Sequence, residues 1–236
     1  EEVPIALDAA HAFLARKGKP LLLGRIFTTV IRPFIRVLLA SVVAALAVPA
    51  LAFAAQPKVL AIHFDTEVNP VTSSYLDHQL QRAQDGHYSA AVILIDTPGG
   101  LSDSMRKIVQ KEIGLKIPVI AYVSPSGARA ASAGVWIEEA ADVAAMGTAT
   151  NIGSSTPIDS SGQNLGSDLR RKVINDAVAS LSALMRYHHR NAAWAAEAVR
   201  KASNLDETQA KKMNVVDVLA PTLPALLNKI DGRTTV

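Results

Sequence analysis

The chain has 236 residues, 49% hydrophobic and 19% charged, the balance of one folded domain with a short extra segment. It has no cysteine, which excludes disulfide frameworks, thiolate metal sites and cysteine nucleophiles. The net charge of +3 arises in residues 1–54, where six Lys/Arg face three acids, and the remaining sequence carries 18 of each sign, so a basic nucleic-acid footprint on the domain is excluded.

In chain order, residues 1–24 are set apart as an N-terminal extension, and residues 25–55 have the pattern of a signal peptide or membrane anchor. Arg25, Arg32 and Arg36 precede the uncharged stretch Val37–Ala54, which ends in Ala52-Phe53-Ala54, an A-x-A cleavage pattern. Its 18 residues are at the lower limit for a span. Pro49 and the small residues around it favour cleavage and an extracytoplasmic or periplasmic, membrane-associated product.

Residues 56–236 alternate strands with helices. KVLAIHF (58–64), AAVILID (90–96), PVIAYV (118–123), DVAAM (142–146) and VVDVLA (215–220) are short apolar runs of the kind buried on both faces of a sheet. Helical stretches are expected at 70–85, 102–114, 132–141 and 168–188, with shorter ones at 191–202 and 206–213 and a closing one in TLPALLNKI. On the long helix, Leu169, Val173, Ala177, Val178, Leu181, Leu184 and Met185 share one side. The expected class is α/β, in a single domain.

Two stretches can carry chemistry. In LIDTPGG (94–100) a buried strand runs into paired glycines, whose backbone can approach a ligand and aim amides at developing negative charge. The other reading is a tight strand-to-helix turn. In SPSGARAASAG (124–134) Ser132 stands where an alanine-rich helix begins, beside free amides and the positive end of the helix dipole. There it is either an N-cap or a nucleophile. The pattern approaches the G-x-S-x-G elbow, with Ala130 in the first glycine position.

A nucleophilic serine needs a base. His188 and His189 read as a solvated helix end and His63 as a core residue in a strand, although a histidine base stays open. Lysine is the other base. Lys172 follows Arg170 and Arg171 in the first turn of the long helix, where both the neighbouring charges and the dipole disfavour a cation. It falls about 60° outside the apolar stripe, so its burial would come from another element or subunit, and the alternative is a solvated Arg-Arg-Lys run.

Taken together, ILIDTPGGL, PVIAYVSPSGARAASAG, MGTATNIGSSTPI, RRKVINDAVASLSALMR and LDETQAKKMNVVDVLA resemble the ClpP-class serine peptidases of the NfeD type, related to signal peptide peptidase A. The resemblance implies a ClpP/crotonase-like spiral of strand-strand-helix units and a Ser-Lys dyad without metal or cofactor. It carries the nucleophile onto Ser132, the base onto Lys172, and the oxyanion hole onto a backbone amide of the Gly99-Gly100 pair and the amide of Ala133. It further implies a homo-oligomer that cleaves hydrophobic segments of proteins or peptides, with stomatin-like membrane proteins as the target class. The rival readings are a crotonase-like acyl-thioester enzyme and a non-catalytic membrane scaffold.

Overall fold

A computed structural model of the chain describes residues 57–158 and 166–235. The expectations for the extension and the signal or anchor segment lie outside the described residues.

Five parallel strands form the main sheet: β1 (Val59–Phe64), β2 (Ala90–Ile95), β3 (Val119–Val123), β5 (Val143–Met146) and β8 (Val218–Leu219), paired in the order β1-β2-β3-β5-β8. The side-chain period of two splits each central strand between two cores. Ile93, Ile95, Ala121, Val123, Ala144 and Met146 join the larger core, packed beneath helices. Val92, Ile120, Tyr122, Val143 and Ala145 pack with Leu226 on the opposite face. This double burial is what the unbroken apolar runs predict. Edge strand β1 differs, because Ala61 and His63 are exposed on its outer face, so His63 is not a core residue.

Helices α1 (Pro70–Asp85), α2 (Ser102–Gly114) and α3 (Ala133–Ala140) pack into the larger core through residues such as Leu76, Leu80, Ile108 and Ile137. The start of α1 is written in the sequence. The Asn69 side chain accepts from the Val71 and Thr72 amides, Thr72 Oγ1 accepts from the Asn69 amide at 2.9 Å, and Pro70 occupies the first turn. Helix α7 (Leu223–Ile230) covers the smaller core through Leu226.

The long helix α4 (Ser167–Tyr187) buries Ile174, Ala177, Leu181, Leu184 and Met185. Leu169 is 54% exposed, so the apolar stripe begins a turn later than the sequence pattern suggests, because the first turn of α4 stands clear of the core. Helices α5 (Trp194–Arg200) and α6 (Glu207–Lys212) follow. A second sheet in the order β4-β6-β7 joins β4 (Arg129–Ala130), β6 (Asn151–Gly153) and β7 (Asn204–Asp206).

Helix α3 is fastened at its C-terminal end by a buried arginine. The Arg190 guanidinium donates to the carbonyls of Glu139 (3.1 Å) and Ala141 (2.8 Å) and pairs with Asp217 at 2.8 Å and Glu139 at 3.3 Å. It thereby satisfies carbonyls that a helix end leaves without partners. His188 is also buried here, its Nε2 3.0 Å from the Ala140 carbonyl, so it is no solvated helix end; His189 is exposed. Burial lifts Glu112 and Glu138 well above the ordinary carboxylate range and pushes Glu139 up to about 7 despite Arg190.

Candidate active site

Beyond β2 the chain turns at Thr97. This buried side chain donates to the Thr66 carbonyl at 2.6 Å and accepts from the Gly99 amide at 3.1 Å. The two glycines are sterically required. Gly99 (φ +102°) and Gly100 (φ +153°) adopt backbone conformations that side chains disfavour, and a Cβ on Gly100 would come within 2.0 Å of the Val68 carbonyl oxygen. A Cβ on Gly99 would lie 2.4 Å from Cβ of Ser132 and 3.0 Å from its Oγ, so the paired glycines are what let this loop meet the serine.

The loop is held as if it were a strand. Val68 donates to the Gly99 carbonyl (2.7 Å) and accepts from the Leu101 amide (2.8 Å). Between these bonds the Gly100 amide has no hydrogen-bond partner among the described residues.

Ser132 joins β4 to α3 with φ +51° and ψ −116°, outside the ordinary wells of an L-residue. A residue held there stores roughly 1–3 kcal/mol. It occupies the N-cap position, yet its side chain makes no capping bond, so simple capping does not account for it. Three backbone bonds fix the bend: Thr97 to the Arg129 carbonyl (2.8 Å), Ala131 to the Thr97 carbonyl (3.1 Å) and Ser132 to the Ser154 carbonyl (2.8 Å). Gly134 is needed because a Cβ there would meet Thr97 Cγ2 at 2.6 Å. The sharp strand-to-helix turn with small neighbours has the geometry of a nucleophile elbow, and Ala130, fully buried, fits in the first glycine position.

Ala133 starts α3, so its amide is among those with no acceptor inside the helix. The Gly100 and Ala133 residues and Ser132 all line one cavity of about 80 Å³. Gly99 is less suited as a donor, because Thr97 already occupies its N–H. The cavity floor is apolar, formed by Met105 of α2, Trp136 of α3 and Ala177 of α4; Ser155 and Val173 also reach it.

Lys172 is exposed on α4 and does not line the cavity, whereas its neighbour Val173 and Asp176 one turn further do. Of the two arginines expected to act on it, Arg171 pairs with Asp168 at 2.7 Å. Three features escaped the sequence reading: Ser155, the Trp136 floor, and an ion pair of 2.7 Å between Arg106 and Asp176 at the cavity rim. None of them has a local sequence signal, because each depends on contacts between residues far apart in the chain.

Known proteins resemble this chain in sequence and fold. The Membrane-bound protease PH1510 of Pyrococcus horikoshii is 37% identical over 171 residues, 72% of this chain and 38% of that protein. Membrane protein NfeD1b of Bacillus subtilis is 34% identical over 104 residues, 44% of this chain and 23% of that protein. The chain thus spans less than two-fifths of the length of either relative. The solved 1510-N membrane-bound stomatin-specific protease, a serine-to-alanine mutant, is 33% identical with a TM-score of 0.72, covering 77% of this chain and 88% of that one. A lysine-to-alanine mutant of the same protease, in complex with a substrate peptide, also has a TM-score of 0.72, covering 77% of this chain and 83% of that one at 33% identity. ClpP1 from Listeria monocytogenes shares the fold at 16% identity and a TM-score of 0.58, over 71% of this chain and 94% of that one. The main sheet with its flanking helices is therefore the expected ClpP-like fold. Residues 58–222 match the family described as NfeD1b, N-terminal domain, and the chain belongs to that family.

Proposed function

We propose that the chain is a serine endopeptidase with a Ser-Lys dyad, acting on hydrophobic segments of membrane-associated proteins. The observation that carries this reading is the strained Ser132 set against the Gly99-Gly100 turn over a small cavity. The protease names of PH1510 and 1510-N support it, as do the serine and lysine variants in which 1510-N was solved.

In the mechanism, Ser132 Oγ attacks the scissile carbonyl while its proton passes to the neutral Lys172 amine. The amides of Gly100 and Ala133 receive the oxyanion, preorganised because neither has to give up an internal bond. Collapse of the tetrahedral species breaks the C–N bond, and the Lys172 proton leaves with the amine. Water, deprotonated by Lys172, then hydrolyses the acyl-enzyme and regenerates Ser132. Because Lys172 is exposed in the single chain, its side chain turns inward past Val173 to act, in a pocket completed by another subunit of a homo-oligomer.

Residues 56–236 form the peptidase domain. Residues 25–55 act as a signal peptide or membrane anchor, placing the domain on the extracytoplasmic, periplasmic side of a membrane. A stomatin-like membrane protein is the substrate class, by extension from the named target of 1510-N. No helix among the described residues is long and apolar enough to cross a membrane.

The test is hydrolysis of a hydrophobic peptide by the full chain. Ser132→Ala and Lys172→Ala each abolish turnover with the oligomer intact; full activity of the lysine variant overturns the dyad. A serine-directed fluorophosphonate labels Ser132 under this reading, whereas a crotonase-like thioester enzyme keeps its activity without Ser132. A scaffold binds its partner without turnover.

A further inference from the structure

Three consecutive hydroxyls leave β6. Ser154 Oγ donates to the Ala202 carbonyl, just beyond α5, and Thr156 Oγ1 to the Val199 carbonyl in its last turn. Between them, the Ser155 amide donates to the Ala198 carbonyl at 3.1 Å, but its hydroxyl has no partner among the described residues. Ser155 is only 1% exposed, and it lines the cavity that holds Ser132. A buried hydroxyl carries one donor and two lone pairs, and such groups in native structures are almost always engaged. Two hydroxyls spent on the backbone at and just after the end of α5, and one kept free at the cavity, point to a partner that enters the cavity.

We propose that Ser155 is a positioning residue for Lys172, an inference that rests on the Ser-Lys reading above. A lysine amine sits on a flexible four-carbon stem and has no preset direction. Ser155 Oγ accepts one N–H of the Lys172 amine after the side chain turns into the cavity, leaving the nitrogen lone pair aimed at Ser132 Oγ–H. When the serine proton moves to nitrogen, one O–H bond breaks and one N–H bond forms, and the bond to Ser155 strengthens because its donor is now charged. The hydroxyl neither gains nor loses a proton in the cycle.

The experiment compares Ser155→Ala and Ser155→Cys with the parent full chain, measuring kcat and KM on a hydrophobic peptide together with the melting temperature. Both variants keep the site's volume nearly unchanged and remove a competent acceptor. The expected result is a fall in kcat of roughly 10- to 100-fold, with KM within about twofold and the melting temperature held. Should Ser155→Ala unfold, Ser155→Cys carries the comparison. Unchanged kcat in a folded variant, or a loss confined to KM, overturns the proposal while Lys172→Ala stays inactive and the dyad stands. A lowered melting temperature with unchanged kcat also overturns it and assigns the hydroxyl to a buried water. Full activity of Lys172→Ala overturns the dyad and this proposal together.

Discussion

The Arg106 guanidinium on α2 lies 2.7 Å from the Asp176 carboxylate on α4, across the rim of the cavity that holds Ser132. Both side chains are more than half exposed, so the pair adds at most about 1 kcal/mol to folding. Its position at the cavity rim is where a larger effect is expected. On one flank it ties α4 beside Val173, and on the other the Arg200 guanidinium donates to Asn175 Oδ1 at 2.5 Å. Arg106→Ala is expected to leave the melting temperature nearly unchanged and to lower kcat/KM on the order of 10-fold. The exchange Arg106→Asp with Asp176→Arg restores much of the loss, and a double-mutant cycle measures the coupling.

The strain at Ser132 predicts a separation of stability from activity. Ser132→Ala and Ser132→Gly are both expected to be inactive under the proposed function, but only glycine relieves the positive φ. Ser132→Gly is expected to be more stable than Ser132→Ala by about 1 kcal/mol, measured by denaturant unfolding.

Two glycine substitutions separate steric need from general effects. Gly100→Ala forces a Cβ against the Val68 carbonyl and is expected to cost several-fold more activity than any surface change, together with stability on the order of 2 kcal/mol. Gly114→Ala, at the end of α2 with open space around it, is expected to be neutral or to stabilise by up to about 1 kcal/mol. Thermal melts and peptide hydrolysis of the two variants check the contrast.

The buried carboxyls of α2 and α3 make stability depend on pH. Glu139 is pushed up to about 7, so between the ordinary 4.5 and 7 the folded chain holds a proton that the unfolded chain releases. Stability from this group is complete below 4.5 and is lost as pH rises through 7. Glu112 and Glu138, raised chiefly by burial, act in the same direction. His188, lowered by burial and by Arg190, acts oppositely and costs stability as pH falls below its ordinary 6.5. Both oxygens of Glu112 lack partners among the described residues, so Glu112→Gln is expected to match the parent at about pH 4 and to melt higher at about pH 8. Melting curves across that range provide the check.

The parts of the fold that sequence makes legible are those with local causes. Helices 70–85 and 102–114 match their expected bounds because Asn69, Pro70 and Gly114 mark their ends, and the apolar runs of β1, β2, β3 and β5 announce a parallel sheet. The second sheet was not visible, since β4, β6 and β7 are two or three residues long and exist only through distant pairing. At the site, small residues around Ser132 were readable, but choosing between cap and elbow required its backbone angles. Arg106 and Asp176 are 70 residues apart, and the free hydroxyl of Ser155 depends on what its neighbours bind, so neither has a sequence signature.

Helix α3 has only eight residues, about 12 Å of axis, with the buried Arg190 contacts at one end and Ser132 at the other. A rod so short has no slack, and any slip at its guarded end is delivered undiminished to the hydroxyl. The arginine therefore sets how deep Ser132 sits, and under the proposed function its loss is expected to present as a defect in turnover from a residue no substrate ever meets.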